Sequence, residues 1–247
     1  MNFLCFLALP VFTQGQSVSR AIYVREVSAA GERERNGMTS LYFNQDYSIF
    51  VHDQAPLSDT SFIDPVDGMS STVSGDSTGF PIYKMHKARK IMQKLDCRQA
   101  KHGLCIVTDT LGTMKWKISR DEAKEIGGFA CEKAVATFRG RTYEAWFAPD
   151  LPISSGPFKF FGLPGLILEI KSTDDVVKFS FHSLELNRYP ESTLQPPTNG
   201  LQLNMDYAHF IEEGNLFAKN QEKQLRATGM NITITRAETI EIINNRN

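Results

Sequence analysis

The residues best suited to chemistry lie on one predicted hairpin, Gly128 to Ala148. Side chains alternate between the two faces of a strand, so Glu144 and Trp146 share one face. Arg139 and Arg141 share one face if the turn between the strands does not twist them apart. Two guanidinium groups beside a carboxylate and an indole suit the binding of a carboxylate or a sugar. A structural salt bridge with an arginine stacked on the indole is the alternative interpretation.

A second candidate feature is the apolar segment Gly156 to Lys171, GPFKFFGLPGLILEIK. Its Leu163-Pro164-Gly165-Leu166 core predicts a type II turn, in which Gly165 takes a positive φ. One interpretation is a tight hairpin in the core, and the other is an exposed apolar lip for a ligand or partner. The residues of this lip are Phe160, Phe161, Leu163 and Leu166, and those that shape its turn are Gly162, Pro164 and Gly165.

Other catalytic patterns are weak in this sequence. Gly75 to Thr78 resembles a serine-hydrolase block only faintly and has no nucleophile elbow. We expect Asp121, Glu122 and Glu125 to lie on a solvated turn before Gly127. The sequence has no glycine-rich phosphate loop, and its five histidines are scattered without the spacing of a zinc site. We therefore predict no catalytic residues, no metal and no cofactor.

The N-terminus predicts export. Residues Phe3 to Phe12 are uncharged and almost wholly apolar, and the chain then turns polar at Thr13. Such a run is typical of a signal peptide and too short to span a bilayer, although no basic residue precedes it. We expect cleavage near Gly15 or Gln16, which gives a periplasmic, outer-membrane-associated or extracellular protein.

Three cysteines remain after the predicted leader, so at least one is free or pairs between chains. Cys97 and Cys105 are separated by eight positions with Gly103 between them, which suits a disulfide across a hairpin. Cys131 lies in an alternating stretch, where a buried thiol is the simpler interpretation. The formal net charge of -1 argues against a nucleic-acid-binding surface. No apolar run is long enough for a transmembrane helix.

Alternation with period two dominates the rest of the chain and predicts many short strands. Ala55 to Gly79 is rich in turn residues and predicts a long surface loop, whereas Ile82 to Cys97 fits a helix or a strand. The predicted strands are Arg20–Val27, Leu41–Asn44, Ser48–His52, Leu104–Asp109, Met114–Ile118, Gly128–Phe138, Thr142–Ala148, Phe158–Phe161, Leu166–Lys171 and Val176–Leu186.

One helix is predicted near the C-terminus. Asp206 can cap its start, and Gly229 is a suitable stop. Its apolar face comprises Tyr207, Phe210, Ile211, Phe217 and Leu225. These elements predict a mainly β fold, namely a curved antiparallel sheet with the C-terminal helix packed on it.

The sequence resembles the GLPGLI family, a group of secreted proteins found mainly in Bacteroidota. GLPGLI itself stands at 162–167. Blocks at Trp116–Ile118, Ile126–Ala134, Phe138–Phe147 and Pro152–Pro157 follow the family's order and spacing. The clear resemblance covers residues 100–185, with a looser one to about residue 230.

The resemblance implies a fold more than an activity. A more distant likeness to the bowl-like N-terminal domain of a bacterial peptide-N-glycanase implies a curved β bowl that is accessory to a separate catalytic domain. We expect a leader at 1–15, one β-rich domain at 16–230 and an extension at 231–247. We expect a non-catalytic binding or accessory module whose ligand is a small molecule, glycan, peptide or envelope protein. The alternatives are a hydrolase acting on glycans or peptides and a carrier of apolar ligands.

Overall fold

The fold is described from a computed structural model that covers residues 17–28, 35–52, 60–63, 70–73, 80–97, 103–110, 114–203 and 205–229. The predicted leader and C-terminal extension lie outside these residues. Within them, fourteen strands, one long helix and a short 3-10 helix at Glu191–Thr193 form the secondary structure. The strands are β1 (Val18–Val27), β2 (Arg35–Phe43), β3 (Tyr47–His52), β4 (Thr60–Ile63), β5 (Ser70–Val73), β6 (Ile82–Met85), β7 (Lys90–Asp96), β8 (Leu104–Thr110), β9 (Lys117–Ile126), β10 (Phe129–Phe138), β11 (Arg141–Ala148), β12 (Leu166–Ser172), β13 (Val177–Tyr189) and β14 (Leu201–Leu203).

Twelve of these strands make one large sheet in the order β14-β8-β7-β6-β3-β2-β1-β13-β12-β11-β10-β9. The neighbours are antiparallel except β14 and β8, which run parallel. The pairing of β1 with β13 joins the two halves of the chain from Val18↔Tyr189 to Val27↔Val177. The predicted architecture, a curved and mainly antiparallel sheet with one C-terminal helix, is confirmed.

One face of the sheet carries the hydrophobic core. Leu41 and Phe50 face each other across β2 and β3, and Ala145 and Ile170 do so across β11 and β12. The same core includes residues of the connection between β11 and β12, which we call the core loop (residues 149–165). This loop therefore packs against the apolar face of the sheet as part of the interior.

Hydrogen bonds fix the core loop to strands from both halves of the sheet. Lys84 of β6 donates to the carbonyl of Gly156 at 2.6 Å, and the Trp116 indole donates to the carbonyl of Phe161 at 2.8 Å. Just beyond the loop, the Tyr23 hydroxyl donates to the carbonyl of Ile167 at 2.8 Å. Buried backbone carbonyls need such partners, so these side chains are part of the packing.

The predicted hairpin around the Pro-Gly turn is wrong. Phe158–Phe161 is not a strand, and its only described ladder contact is an isolated bridge between Ser155 and Phe161. The positive φ also falls elsewhere, at Gly162 (+97°), and Gly165 does not adopt one. Gly165 is required for a different reason, because a Cβ there would lie 2.3 Å from the carbonyl oxygen of Ala148.

Two further expectations are corrected. Ile82–Cys97, left open between helix and strand, contains the hairpin of β6 and β7, with Met85 opposite Lys90. Residues 60–63 and 70–73, predicted as loop, pair as a separate two-stranded sheet. The rest of Ala55–Gly79 lies outside the described residues.

The expected turn at Asp121, Glu122 and Glu125 is instead strand β9, which starts at Lys117 rather than Met114. The turn itself is Gly127-Gly128, with φ of +59° and +85°. Such a two-residue turn with positive φ matches the twist of a hairpin. Charged residues are compatible with β9 because it is an edge strand.

Helix α1 spans Tyr207–Ala227 and begins as predicted. Asp206 caps it by accepting a hydrogen bond from the backbone N–H of His209, and Gly229 follows its end with a φ of +89°. Only its first turns pack on the sheet, where Tyr207, Phe210 and Ile211 join Val107 and a disulfide between Cys97 and Cys105. The predicted apolar positions farther along, Phe217 and Leu225, are partly exposed.

Candidate functional site

The four polar residues predicted to form a site do not converge. Arg141 lies on the buried face of β11, is 3% exposed and pairs with Asp174. Glu144 and Trp146 lie on the opposite, outer face, as the alternation along the strand requires. The guanidinium of Arg141 therefore cannot share a ligand with this carboxylate and indole.

The outer face around Glu144 and Trp146 is a network of charges. The Glu144 carboxylate lies 3.7 Å from the Lys133 amine and 3.8 Å from the Lys171 amine. Lys124 bonds Glu169 at 2.8 Å and lies 4.7 Å from the centre of the Trp146 ring. The observed contacts are those of the structural interpretation, with a lysine rather than an arginine over the indole.

Arg139 occupies the tight turn between β10 and β11, with a φ of +45°. It pairs with Asp109 of β8, and its guanidinium lies 5.0 Å from the centre of the Tyr207 ring. Strands β8 and β11 are near opposite ends of the strand order. This ion pair therefore links two parts of the sheet that are far apart in the strand order, next to the first turn of α1.

The residues of the predicted apolar lip are buried. Their exposed fractions are 0% for Phe160 and Leu166, 1% for Leu163 and 6% for Phe161. Phe160 packs edge-to-face on Tyr143 with ring centres 4.7 Å apart. Their side chains are core, and their role as a ligand surface stays a prediction that this burial does not support.

A pocket of about 320 Å³ opens elsewhere, at the ends of central strands of the sheet. We call it the end pocket. It lies between the start of β1, the β2–β3 turn, the core loop and the end of β13. Its lining residues are Ser17, Ser19, Phe43, Asn44, Gln45, Leu151, Pro152, Ile153, Leu186 and Asn187.

The lining of the end pocket carries no formal charge. Phe43 and Ile153 are buried core residues, whereas Leu186 is 52% exposed. The side-chain amides of Gln45 and Asn187 are solvent-exposed. Apolar surface with a few orienting polar groups is the usual composition of a small-molecule site. This arrangement can orient an uncharged ligand through amide and hydroxyl groups.

Local hydrogen bonds hold the pocket's polar residues in place. The Asn44 side-chain oxygen accepts from the backbone N–H groups of Asp46 and Tyr47, at 2.9 and 2.8 Å. The Ser19 hydroxyl accepts from the backbone N–H of Asn187 at 3.1 Å, and Asn187 has a φ of +53°. Asparagine tolerates this left-handed conformation better than most residues.

Next to the end pocket lies a buried polar cluster that the sequence prediction missed. The His86 Nε2 atom is 3.0 Å from the Ser48 hydroxyl, which is 3.0 Å from the Ser155 hydroxyl. The His86 Nδ1 atom is 3.2 Å from the carbonyl oxygen of Gln45. Ser48 of β3 is paired with Lys84 of β6, next to the paired core residues Phe50 and Ile82. Ser48 and Lys84 are therefore polar residues at inward positions of these two strands. Polar residues at inward strand positions are the signal that could have identified this cluster.

Burial controls the charge of this cluster. Desolvation lowers the pKa of Lys84 to about 7. Burial, and secondarily the positive charge of Lys84, lower the pKa of His86 to about 4, so the imidazole is neutral near pH 7. A serine hydroxyl bonded to a neutral histidine is the geometry of an activated nucleophile. The Ser48 hydroxyl belongs to a fully buried residue, however, so it is not presented to a substrate.

Two further features complete the chemistry of the described residues. Burial raises the pKa of the Cys131 thiol to about 11, and this cysteine is free and buried. Among the residues with described placement, no group of three histidine, cysteine, aspartate or glutamate side chains is arranged to hold a metal ion. No helix in the described part is long and apolar enough to cross a bilayer.

Comparison with known proteins supports a fold and no activity. A family model described as a protein of unknown function (Porph_ging) matches residues 138–169, from the end of β10 into β12. No curated protein is significantly similar to the chain. The matched stretch contains the whole core loop.

Among solved structures, the fold is similar to that of PNGF-II in two crystal forms. The TM-scores are 0.55 and 0.53 at 14% and 15% identity, and each match covers 82% of this chain. The chain spans about a third of the length of PNGF-II, 34% and 33% in the two forms. A LolA superfamily protein from Nitrosomonas europaea matches at 9% identity over 73% of this chain and 90% of its own, with a TM-score of only 0.32. At identities this low, the similarity to PNGF-II supports a shared fold and nothing more.

Proposed function

We infer that the protein is a non-catalytic binding or accessory module whose ligand occupies the end pocket. The observation that carries this function is the pocket itself, about 320 Å³ in volume. That volume lies at the lower end of the range for small-molecule sites. It suits a ligand the size of one sugar unit or one amino-acid residue with its flanking amides.

The lining indicates an uncharged ligand. An ionic ligand buried against Phe43, Leu151 and Ile153 would lose its hydration without gaining a counter-charge. A ligand with an apolar group and amide or hydroxyl groups can pack on Leu186 while it bonds the Gln45 amide. A neutral glycan or a peptide segment has this chemistry, and charged ligands do not.

An accessory role is supported by the shared fold, because the matching part is only about a third of PNGF-II. A hydrolase acting on glycans or peptides is the second candidate, favoured by the Ser48–His86 pair beside the pocket. The burial of Ser48 makes binding the better-supported function. A carrier of apolar ligands needs an open apolar surface, and here the core loop packs against the apolar face of the sheet.

We further propose that the protein acts outside the cytoplasm after removal of residues 1–15. The apolar run from Phe3 to Phe12 supports this location. N-terminal sequencing of protein from the envelope fraction should find a start between Thr13 and Ser17. An intact Met1 on folded, envelope-derived protein would contradict export by this route.

The binding function is tested by native mass spectrometry of protein purified from envelope extracts. We expect a neutral adduct on the wild-type protein, its loss in the Leu186→Ala/Gln45→Ala variant and its retention in Leu216→Ala. Leu216 is a matched control because it is a 60% exposed leucine on α1, away from the pocket. Release of sugar or cleavage of peptide from N-glycopeptides by the wild-type protein would instead support the hydrolase.

A further inference from the structure

The buried polar cluster connects two walls of the end pocket. On one side, the imidazole of His86 contacts the carbonyl of Gln45, in the β2–β3 turn. On the other side, it reaches through the Ser48 hydroxyl to Ser155 of the core loop. Ser155 is two residues after Ile153, and its N–H donates to the carbonyl of Ile153 at 2.7 Å. His86 itself does not line the pocket.

The hydrogen-bond directions in this chain follow from the chemistry of its ends. The Gln45 carbonyl only accepts, so the proton of the neutral His86 ring lies on Nδ1. The Nε2 atom must then accept from Ser48, and the Ser48 oxygen accepts from Ser155. The low pKa of His86 supports this assignment, because a neutral ring has one donor and one acceptor. Each group thus has a defined role, which restricts the ring to one orientation.

We propose that His86 is a positioning residue of the end pocket, which holds the Gln45 wall and the Ile153 wall at the separation that admits the ligand. This inference rests on the proposed binding function. Backbone contacts on both walls strengthen it. The N–H of His86 donates to the carbonyl of Asp46 at 2.9 Å, and Lys84 holds the carbonyl of Gly156. Lys84 of β6 and His86 of the following turn therefore hold the two walls.

Each wall also has hydrogen bonds of its own. Leu151 and Ile153 bond mainly within their own segment, to the carbonyls of Ala148 and Leu151. Gln45 belongs to a turn held by the Asn44 side chain. Loss of the imidazole would thus leave each wall folded locally while their relative placement relaxes. The expected effect is on pocket geometry and ligand affinity more than on the fold.

The experiment compares His86→Ala, His86→Gln and Ser48→Ala with His182→Ala, which replaces an exposed histidine on β13. Methyl NMR spectra of the ligand-free proteins report on Leu151, Ile153 and Leu186. We expect shifted or broadened signals at these methyls in His86→Ala and Ser48→Ala, and none in His182→Ala. His86→Gln, whose amide can both donate and accept, should partly restore the wild-type spectrum.

Binding supplies the second measurement. The probes are N-acetylglucosamine and N-acetyl-leucinamide, two uncharged molecules that fit the pocket's size. For the probe that the wild-type protein binds, His86→Ala should raise the Kd by roughly tenfold, which is the effect of losing about one net hydrogen bond. Unchanged pocket methyls in a folded His86→Ala protein would overturn the inference, as would wild-type affinity in that variant. If wild type binds neither probe, the proposed ligand class fails, while the methyl spectra still decide the role of His86.

Discussion

The core loop and the end pocket meet at residues 151–153 but differ in how the sequence encodes them. The core loop contains the most distinctive run of the chain, and its apolar side chains are buried against strands from both halves of the sheet. The end pocket combines residues from four separate segments, of which only the one at Pro152 and Ile153 belongs to a block of the family resemblance. The comparison teaches that an unusual sequence here reflects a packing requirement, whereas the proposed binding surface arises from topology.

The glycines make the packing requirement explicit. A Cβ at Gly156 would lie 2.7 Å from Cβ of Ile167, and one at Gly165 would lie 2.3 Å from the Ala148 carbonyl oxygen. Interiors packed at crystal density cannot absorb such overlaps without moving backbone. The core loop therefore tolerates little change, while the exposed rim at Leu186 has no comparable constraint.

The largest expected effect is that of Gly165→Ala. The new methyl meets backbone rather than a movable side chain, so we expect a loss of at least about 2 kcal/mol in the free energy of unfolding. Gly128→Ala is the control, because its Cβ meets nothing within 4 Å and it incurs only the strain of a left-handed φ. That strain costs about 1 kcal/mol. Denaturant titration measures both, and equal losses would remove the packing explanation.

The next effect contrasts the two faces of β11. Arg141→Ala removes a buried guanidinium and its ion pair with Asp174, which should cost about 2 kcal/mol whatever ligand is present. Glu144→Ala removes a partly exposed carboxylate from the outer charge network and should cost less than about 1 kcal/mol. Chemical denaturation compares them. A fully stable Arg141→Ala protein that fails to bind ligand would restore Arg141 to the site.

A third prediction concerns Lys84, which anchors the core loop. Its pKa is about 7 in the folded protein and 10.5 when unfolded. Between these values the unfolded chain binds a proton that the folded protein does not, so the free energy of unfolding rises with pH. The slope is at most about 1.4 kcal/mol per pH unit. Lys84→Met should flatten this rise between pH 7 and 10, and Lys223→Met, on the exposed surface of α1, should not. Identical slopes in wild type and Lys84→Met would show that Lys84 does not titrate in this range.

The smallest effect on stability is expected at the pocket rim. Leu186→Ala and Gln45→Ala alter exposed side chains, so each should change the free energy of unfolding by less than about 0.5 kcal/mol. Each should nevertheless weaken binding of the ligand, unlike Leu216→Ala. Thermal melts combined with calorimetric titration separate the two properties. Strong destabilisation by either rim variant would contradict the view that the core loop, and not the pocket rim, determines stability.

Much of the fold could be predicted from the sequence because period-two patterns are local. The hairpin of β10 and β11, the strand β1 and the cap at Asp206 all follow from residues close in the chain. The route of the core loop could not be predicted in this way. Its Phe160 and Leu163 are as apolar as the residues of a buried strand, so their composition does not reveal the irregular backbone. That backbone follows from the long-range contacts of the segment.

The location of the candidate site could not be predicted from local sequence patterns. Arg141 and Glu144 are three residues apart and therefore point to opposite faces, which the alternation alone could have indicated. The end pocket needs the pairing of β1 with both β2 and β13, which brings Ser19 next to Asn187. The pairing of β1 with β13 joins residues more than a hundred positions apart, and no local pattern reports it.

The central claim is that the end pocket, and not the predicted apolar lip at Phe160, Phe161, Leu163 and Leu166, receives an uncharged ligand. Methyl NMR titration of the wild-type protein with N-acetylglucosamine and N-acetyl-leucinamide tests it most directly. We predict saturable shifts at Leu151, Ile153 and Leu186 for one of these probes, with the signals of Leu163 and Leu166 unchanged. Saturable shifts confined to Leu163 and Leu166, or an absence of shifts at the pocket methyls with both probes, would contradict the claim.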